Sequence, residues 1–261
     1  MTETTQQAVA ARISPSCAHT ETARRIQTQF HTSKAVSGEG DGLILQLNET
    51  GLSLVSGGQT LQGDLTRMLP RVRPDRLNGE LLVRAAKIKD PDHPLTAVDA
   101  TAGLGEDSFL LAAAGFQVTL FERNPIIFEL LRDTLSRAAE IPELASITAR
   151  MRLIHGDSVA AMKSMETAPD VILLDPMFPE RQKSALVKKK LQMIQKLEFP
   201  CLDEREMFLA AAAAKPKKLV IKRPPKGPYL AGVKPDYSIS GKAVRFDCFA
   251  SPGDRLHKFQ P

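Results

Sequence analysis

Two short segments carry side chains whose types and spacing could do chemistry. The first is Asp99-Ala100-Thr101-Ala102-Gly103-Leu104-Gly105-Glu106-Asp107, which follows one apolar run and precedes another. Glycines in that setting let backbone approach a ligand closely. The second is Asp175-Pro176-Met177-Phe178-Pro179, where an acid, a prolyl carbonyl and an aromatic ring arrive together. Asp175 can accept one N–H of a planar amine, the Pro176 carbonyl can accept the other, and Phe178 can stack on the attached ring. An amine conjugated with its ring is a weak nucleophile. The chemistry this grouping suits is therefore alignment of a nitrogen lone pair with an electrophile, achieved by positioning. The competing reading is a strand that merely ends in an Asp-Pro turn.

The glycine loop narrows what the electrophile can be. A dinucleotide loop would place its third glycine where this chain has Ser108. Glu106 and Asp107 stand where a pyrophosphate would sit and would repel it. A sulfonium nucleoside with an amino-acid tail is neutral or cationic overall, so these acids suit S-adenosylmethionine as cofactor, and its chemistry needs no metal. Asp99, Gly103, Gly105, Glu106 and Asp107 are the candidate contacts at the loop. About twenty residues on, where such folds keep a ribose-binding acid, Glu122 and Arg123 close a second apolar run. His155-Gly156-Asp157-Ser158 closes a third, and Asp157 or Ser158 can reach an adenine edge through a side-chain oxygen or a backbone amide. Each acid alone reads equally well as a helix cap or a surface charge. Their succession at the ends of three runs is what supports a cofactor site.

Elements of a particular kind must position these residues. Strands are predicted at residues 96–100, 117–122, 150–155, 171–175, 218–222 and 245–250, and helices at 107–114, 125–139, 185–196 and 204–214. That alternation predicts an α/β, Rossmann-like domain over residues 95–261, with a mostly parallel sheet and helices on both faces. Residues 1–94 read as a smaller α/β extension. It has a polar, weakly patterned start to about residue 32, a loop at 33–42, and a hairpin of 43–47 with 52–55. A proline-bearing basic break at 70–74, a helix at 79–88 and a linker at 89–94 complete it.

Hydrophobic residues at 43% and charged residues at 25% are ordinary globular values, which exclude wholesale disorder. No apolar run approaches the roughly 20 residues that cross a bilayer, and residues 1–7 lack a basic-then-apolar order, so no membrane association is expected. Cys17, Cys201 and Cys248 are scattered and lack metal-ligand spacing, which predicts free thiols, a cytoplasmic setting and no bound metal. The net charge of +5 favours a polyanionic partner without demanding one. Arg181, Lys183, Lys188, Lys189, Lys190 and Lys196 crowd behind the tetrapeptide, and Lys215, Lys217, Lys218, Lys222, Arg223 and Lys226 follow. Phosphate contacts and a solvated face are both open for them. For Lys222, Arg223 and Arg245, salt bridges within the fold compete as well.

Asp175-Pro176-Met177-Phe178 resembles the D-P-P-[YF] or N-P-P-[YF] motif of methyltransferases that act on exocyclic amines, with Met177 in place of the second proline. The resemblance becomes specific when that segment is taken together with the loop at 99–107, Phe121-Glu122-Arg123, the run Gln182-Lys183-Ser184-Ala185-Leu186-Val187-Lys188-Lys189, Lys222-Arg223-Pro224 and Arg245-Phe246-Asp247. From about Leu95 onward the chain resembles the RsmJ family, which methylates a guanine exocyclic amine in small-subunit ribosomal RNA using S-adenosylmethionine. The resemblance implies cofactor contacts at Glu106, Asp107, Glu122, Arg123, Asp157, Ser158 and Asp175, and catalytic positions at Asp175, Pro176 and Phe178. It implies ribosomal RNA or the small ribosomal subunit as partner, with Arg181, Lys183, Lys188, Lys189, Lys222 and Arg223 beside its phosphates. The family usually has Arg-Asp where this chain has Glu106-Asp107. Two other readings stand beside it: methylation of another amine, in DNA, tRNA or protein glutamine, and a catalytically silent RNA-binding assembly factor.

Overall fold

The computed structural model describes residues 9–30, 42–176, 197 and 203–254. The helix expected at 185–196 lies outside them. The N-terminal part contains β1 (Ala10–Ile13), α1 (Glu21–Gln29), β2 (Ile44–Asn48), β3 (Gly51–Ser56), β4 (Gln59–Leu61), α2 (Leu69–Val72), α3 (Pro74–Leu77) and α4 (Leu81–Ala86). Its four strands form one sheet in the order β1-β2-β3-β4, with β1 parallel to β2 and the other pairs antiparallel. The expected hairpin is β2 and β3, turned where Asn48 Oδ1 accepts from the Thr50 N–H at 2.9 Å. Residues 10–29 carry more regular structure than their polarity suggests. Thr20 caps α1 by accepting from the Ala23 N–H, and α1 buries Ala23 and Ile26 on its single apolar stripe. The expected break at 70–74 is instead two short helices, each with a proline in its first turn, where the missing N–H has no intrahelical partner to lose.

The large sheet is built from β5 (Thr96–Asp99), β6 (Gln117–Glu122), β7 (Met151–His155), β8 (Val171–Leu174), β9 (Lys218–Arg223), β10 (Tyr237–Ser240) and β11 (Arg245–Ala250). Between them lie α5 (Glu106–Ala113), α6 (Pro125–Ala139), α7 (Pro142–Thr148), α8 (Ser158–Lys163) and α9 (Glu204–Ala213). The order is β10-β11-β9-β8-β5-β6-β7, with β5 to β9 parallel and β10 and β11 antiparallel at one edge. This is the α/β, Rossmann-like arrangement the alternation predicted. The buried strands alternate between two cores, as a period of two requires. Ala97, Val118, Leu120, Val171, Leu173 and Val220 face one side with α4 and α5, while Val98, Phe121, Ile172, Leu174, Leu219 and Ile221 face the other with α8 and α9. α7, α8 and β10 were not foreseen, because segments of 7, 6 and 4 residues carry too little periodicity to read.

Two features of this architecture matter for a site. The chain leaves β5 for β6 and β7 on one side, then returns to β8 and β9 on the other, so β5 and β8 flank the point where strand order reverses. In open parallel sheets ligands bind beyond the carboxyl ends of strands at that point. α6, meanwhile, serves two cores: Leu131 and Ala138 join the large sheet, and Ile126, Ile127 and Leu130 join the small one. Leu82, Ala85 and Ala86 of α4 also bury against the large sheet, so N-terminal residues help to cover it. Among the described residues no helix is long and apolar enough to cross a membrane.

At the opposite end of the sheet, Asp170 ties β8 to β5. Its carboxylate is buried, accepts from the Thr96 N–H at 2.8 Å, and lies 3.0 Å from His93 Nε2 and 2.9 Å from Lys217 Nζ. Burial works against its charge, but the Thr96 N–H, Lys217 and His93 outweigh it and lower its pKa. A lowered folded pKa stabilises the fold above the unfolded carboxylate range, and the contribution is lost as pH falls through the folded value. Asp170→Ala should therefore cost about 1–3 kcal/mol at neutral pH, since it strands a buried N–H. Urea unfolding should show the difference from wild type shrinking in acid.

Candidate active site

The glycine loop follows β5 and is shaped from beneath. Asp99 Oδ1 accepts from the Thr101 N–H at 3.0 Å and Oδ2 from the Ser108 hydroxyl at 2.5 Å. Asp99, expected as a cofactor contact, is only 2% exposed, and its carboxyl braces the loop from within. Burial pushes its pKa up to about 6, with the Ser108 and Thr101 bonds opposing and the charges of Asp107 and Asp175 adding. Gly103 and Gly105 have φ of 55° and 79°, the left-handed region that glycine enters without strain. A Cβ on Gly105 would lie 2.6 Å from Leu131 Cδ1, whereas one on Gly103 would meet nothing within 4 Å. The loop is thus packed tightly against α6 at Gly105 and open at Gly103, which leaves a backbone surface that a ligand can approach.

Glu122 ends β6 directly across from that opening. Its Oε2 accepts from the Gly103 N–H at 3.1 Å and its Oε1 from the Asn124 N–H at 2.7 Å. Burial pushes its pKa up to about 7, against the pull of those two N–H groups and of Arg123. Each carboxylate oxygen keeps a second lone pair, so acceptor capacity for a vicinal diol is left. Arg123 is exposed beside it. At the end of β7, Asp157 caps α8 by accepting from the Val159 N–H at 2.9 Å, and Ser158 is buried as the first helical residue. The helix-cap reading thus describes one oxygen of Asp157.

Asp175 follows β8, and its backbone N–H donates to Thr101 Oγ1 at 2.7 Å. That bond brings the acid of the tetrapeptide to the glycine loop, as the order of the segments required. Lys222 Nζ lies 2.9 Å from Asp175 Oδ2 and also donates to Asp107 Oδ2. Burial opposes the charge of Lys222, but Asp107 and Asp175 outweigh it and hold its pKa above the ordinary lysine range. Glu106 stands exposed at the start of α5, and Pro176 is buried. Met177, Phe178, Arg181, Lys183, Lys188 and Lys189 lie outside the described residues.

Two of the basic residues expected beside RNA are engaged within the fold. Lys222 turns into the site between two carboxylates. Arg223 is fully buried, with Nε donating to the Pro228 carbonyl at 2.7 Å and one terminal nitrogen to Glu204 at 3.3 Å. Arg245 donates to Asp247 and to the carbonyls of Pro225 and Gly227, which makes it another brace of the same loop. Lys217 and Lys218 sit at the far end of β9, on Asp170 and the Lys87 carbonyl. A cluster in sequence became scattered in space because a strand advances about 3.3 Å per residue and turns alternate side chains to opposite faces. Sequence reading also missed Thr101, Ser108 and Asn124. Ser108 was visible only as an absent glycine, and Asn124, which caps α6 and donates to the Leu197 carbonyl at 2.7 Å, had the Asn-Pro signal of a helix start.

The donors and acceptors at this rim fit S-adenosylmethionine: an open loop backbone at Gly103, a carboxylate at Glu122 for ribose hydroxyls, and acids around a sulfonium charge. Among the described residues no group of three or more His, Cys, Asp or Glu could hold a metal. A switch-point glycine loop with an Asp-Pro end on the neighbouring strand defines a Rossmann-like S-adenosylmethionine-dependent methyltransferase. Residues 29–251 match the family model SAM_MT, of SAM-dependent methyltransferases. A ribosomal RNA small subunit methyltransferase J from Thioalkalivibrio sulfidiphilus is 40% identical over 239 residues, 88% of this chain and 93% of that protein. One from Pseudomonas aeruginosa is 38% identical over 244 residues, 91% and 92% of the two chains. The chain belongs to the ribosomal RNA small subunit methyltransferase J family. The crystal structure of a SAM-dependent methyltransferase from Neisseria gonorrhoeae shares the fold at a TM-score of 0.72 and 30% identity, over 93% of this chain and 96% of that one.

Gly105→Ala tests the packing of the loop. A left-handed φ and the contact with Leu131 together should destabilise the protein by about 1–3 kcal/mol. Denaturant midpoints equal to those of wild type would show that the loop is not held this way.

Proposed function

We propose that this protein transfers a methyl group from S-adenosylmethionine to the exocyclic amine of a guanine in small-subunit ribosomal RNA. The observation that carries this reading is the Asp175 N–H bond to Thr101 Oγ1, which joins an amine-presenting tetrapeptide to a cofactor loop. The relatives named for small-subunit ribosomal RNA support the substrate class. We assign the chemistry to residues 95–261 and a supporting role to residues 1–94. The reaction belongs in the cytoplasm, in keeping with the free thiols of Cys17 and Cys248.

When bound, S-adenosylmethionine supplies a sulfonium-borne methyl group as the electrophile. Gly103, Gly105, Glu106, Asp107, Glu122, Arg123, Asp157, Ser158 and Asp175 form the pocket rim. Glu122 accepts the two ribose hydroxyls and so fixes the nucleoside end, while the acids of α5 favour a cationic centre over a phosphate. Asp175 accepts one N–H of the amine and the Pro176 carbonyl accepts the other. With both N–H groups held in the plane of the ring, the nitrogen lone pair would stand perpendicular to it, and the surplus proton of the methylated amine would leave to water. Phe178 stacks on the base and holds it out of the RNA, and Arg181, Lys183, Lys188 and Lys189 neutralise the flanking phosphates. Positioning, with no metal, supplies the acceleration.

Asp175→Ala should lower methyl transfer to purified small subunits or their RNA by at least about 100-fold, the scale of a lost transition-state acceptor. A radiolabelled-methyl assay on the folded variant reads this, and near-normal transfer would remove the mechanism. Ribose binding favours the ionised form of Glu122, so cofactor affinity should strengthen as pH rises through about 7, its folded pKa. Glu122→Gln should flatten that dependence and weaken binding by roughly 10- to 100-fold. Calorimetric titration across pH 6 to 8, an interval of about one unit either side of that value, would expose an affinity that ignores it.

A further inference from the structure

Lys222 was expected beside RNA phosphates, yet its ammonium is turned inward. It occupies the penultimate position of β9, level with Asp175 because Leu174 and Ile221 are in register on the parallel neighbours β8 and β9. The side chains of Lys222, Asp107 and Asp175 are each about one-fifth exposed, at 21%, 20% and 21%. A simple surface ion pair would be more exposed and would join two groups. This one joins the first turn of α5, which starts the cofactor helix, to the acid that presents the amine.

The groups around it make the ammonium hard to replace. Asp107 and Asp175 contact it, Asp99 lies within electrostatic reach of both acids, and Arg223, held by Glu204 and the Pro228 carbonyl, is a more distant charge. On the far side of Asp107, Arg71 is held mainly by Glu80 but also feels Asp107 and Glu106. Without Lys222, the carboxyl groups of Asp107 and Asp175 would lose the ammonium that contacts both of them. A displacement of the Asp175 carboxylate that followed would spoil the acceptor there.

We propose that Lys222 is a positioning residue for methyl transfer: its ammonium locks the Asp175 carboxylate to Asp107, so that the cofactor helix and the amine-presenting acid are held as one unit. This rests on the amine-presenting role assigned to Asp175 above. Binding of the cofactor near Asp107 and seating of the amine at Asp175 are then coupled through one side chain.

The test is a pH series of kcat and KM for small-subunit RNA at saturating S-adenosylmethionine, with Lys222→Met, Lys222→Arg and Asp107→Asn beside wild type. Lys222→Met should lower kcat roughly 10- to 100-fold, the effect of a small misplacement of reacting groups. Its KM for RNA should stay within about threefold of wild type. The acid limb of kcat/KM should move up by about one pH unit, because a cation favouring the ionised acids is gone. Lys222→Arg should recover most of kcat. Asp107→Asn should move the same limb downward, since it removes a like charge from beside Asp175. A phosphate contact would behave differently, raising KM and lowering the salt slope by about one while sparing kcat. That pattern, or an acid limb that moves in neither Lys222→Met nor Asp107→Asn, overturns the proposal. If Lys222→Met fails to fold, the Asp107→Asn limb and the Lys222→Arg rate decide it alone. Wild type that transfers no methyl to this RNA would instead defeat the reading of Asp175 on which the proposal stands.

Discussion

The adjacency of β5 and β8 is the constraint on which the rest of this structure depends. Because these strands are parallel neighbours at the reversal of strand order, everything at their carboxyl ends is brought to one edge. The glycine loop leaves one and the Asp-Pro segment leaves the other. Thr101 closes the remaining gap by accepting the Asp175 N–H.

Electrostatics then sets the character of that edge. Asp99, Asp107, Asp175 and Glu122 concentrate negative charge in a region with limited water, where charges interact more strongly than at the surface. The fold handles each acid differently. Asp99 is braced by hydrogen bonds from the loop, Glu122 by the amides of Gly103 and Asn124, and Asp107 and Asp175 by Lys222. An acidic edge repels polyphosphate cofactors and welcomes a sulfonium, which is how one loop geometry serves different cofactors in related folds.

The N-terminal part is tied to this edge through α6. That helix is capped by Asn124, two residues past Glu122, and buries one side against the large sheet and the other against the small one. Leu131 on the same helix packs under Gly105. Loosening the small sheet would therefore reach the cofactor loop through a single rigid element, with no need for a separate pathway.

The sequence by itself determined the alternation of the longer strands and helices, the glycine loop and the acids that end β5 and β6, because these are local matters of period, glycine and cap. It also carried the family, since the run around Asp175 is long and specific. It did not decide the fate of its cations. Lys222, Arg223 and Arg245 looked alike in the chain, and only the sheet turned the first into the site and the other two onto loop carbonyls and acids. Short segments such as α7, α8 and β10 were likewise settled by their neighbours. Periodicity reports which face of an element is buried, whereas the destination of a long charged side chain depends on which carboxylates and carbonyls other strands bring within its reach.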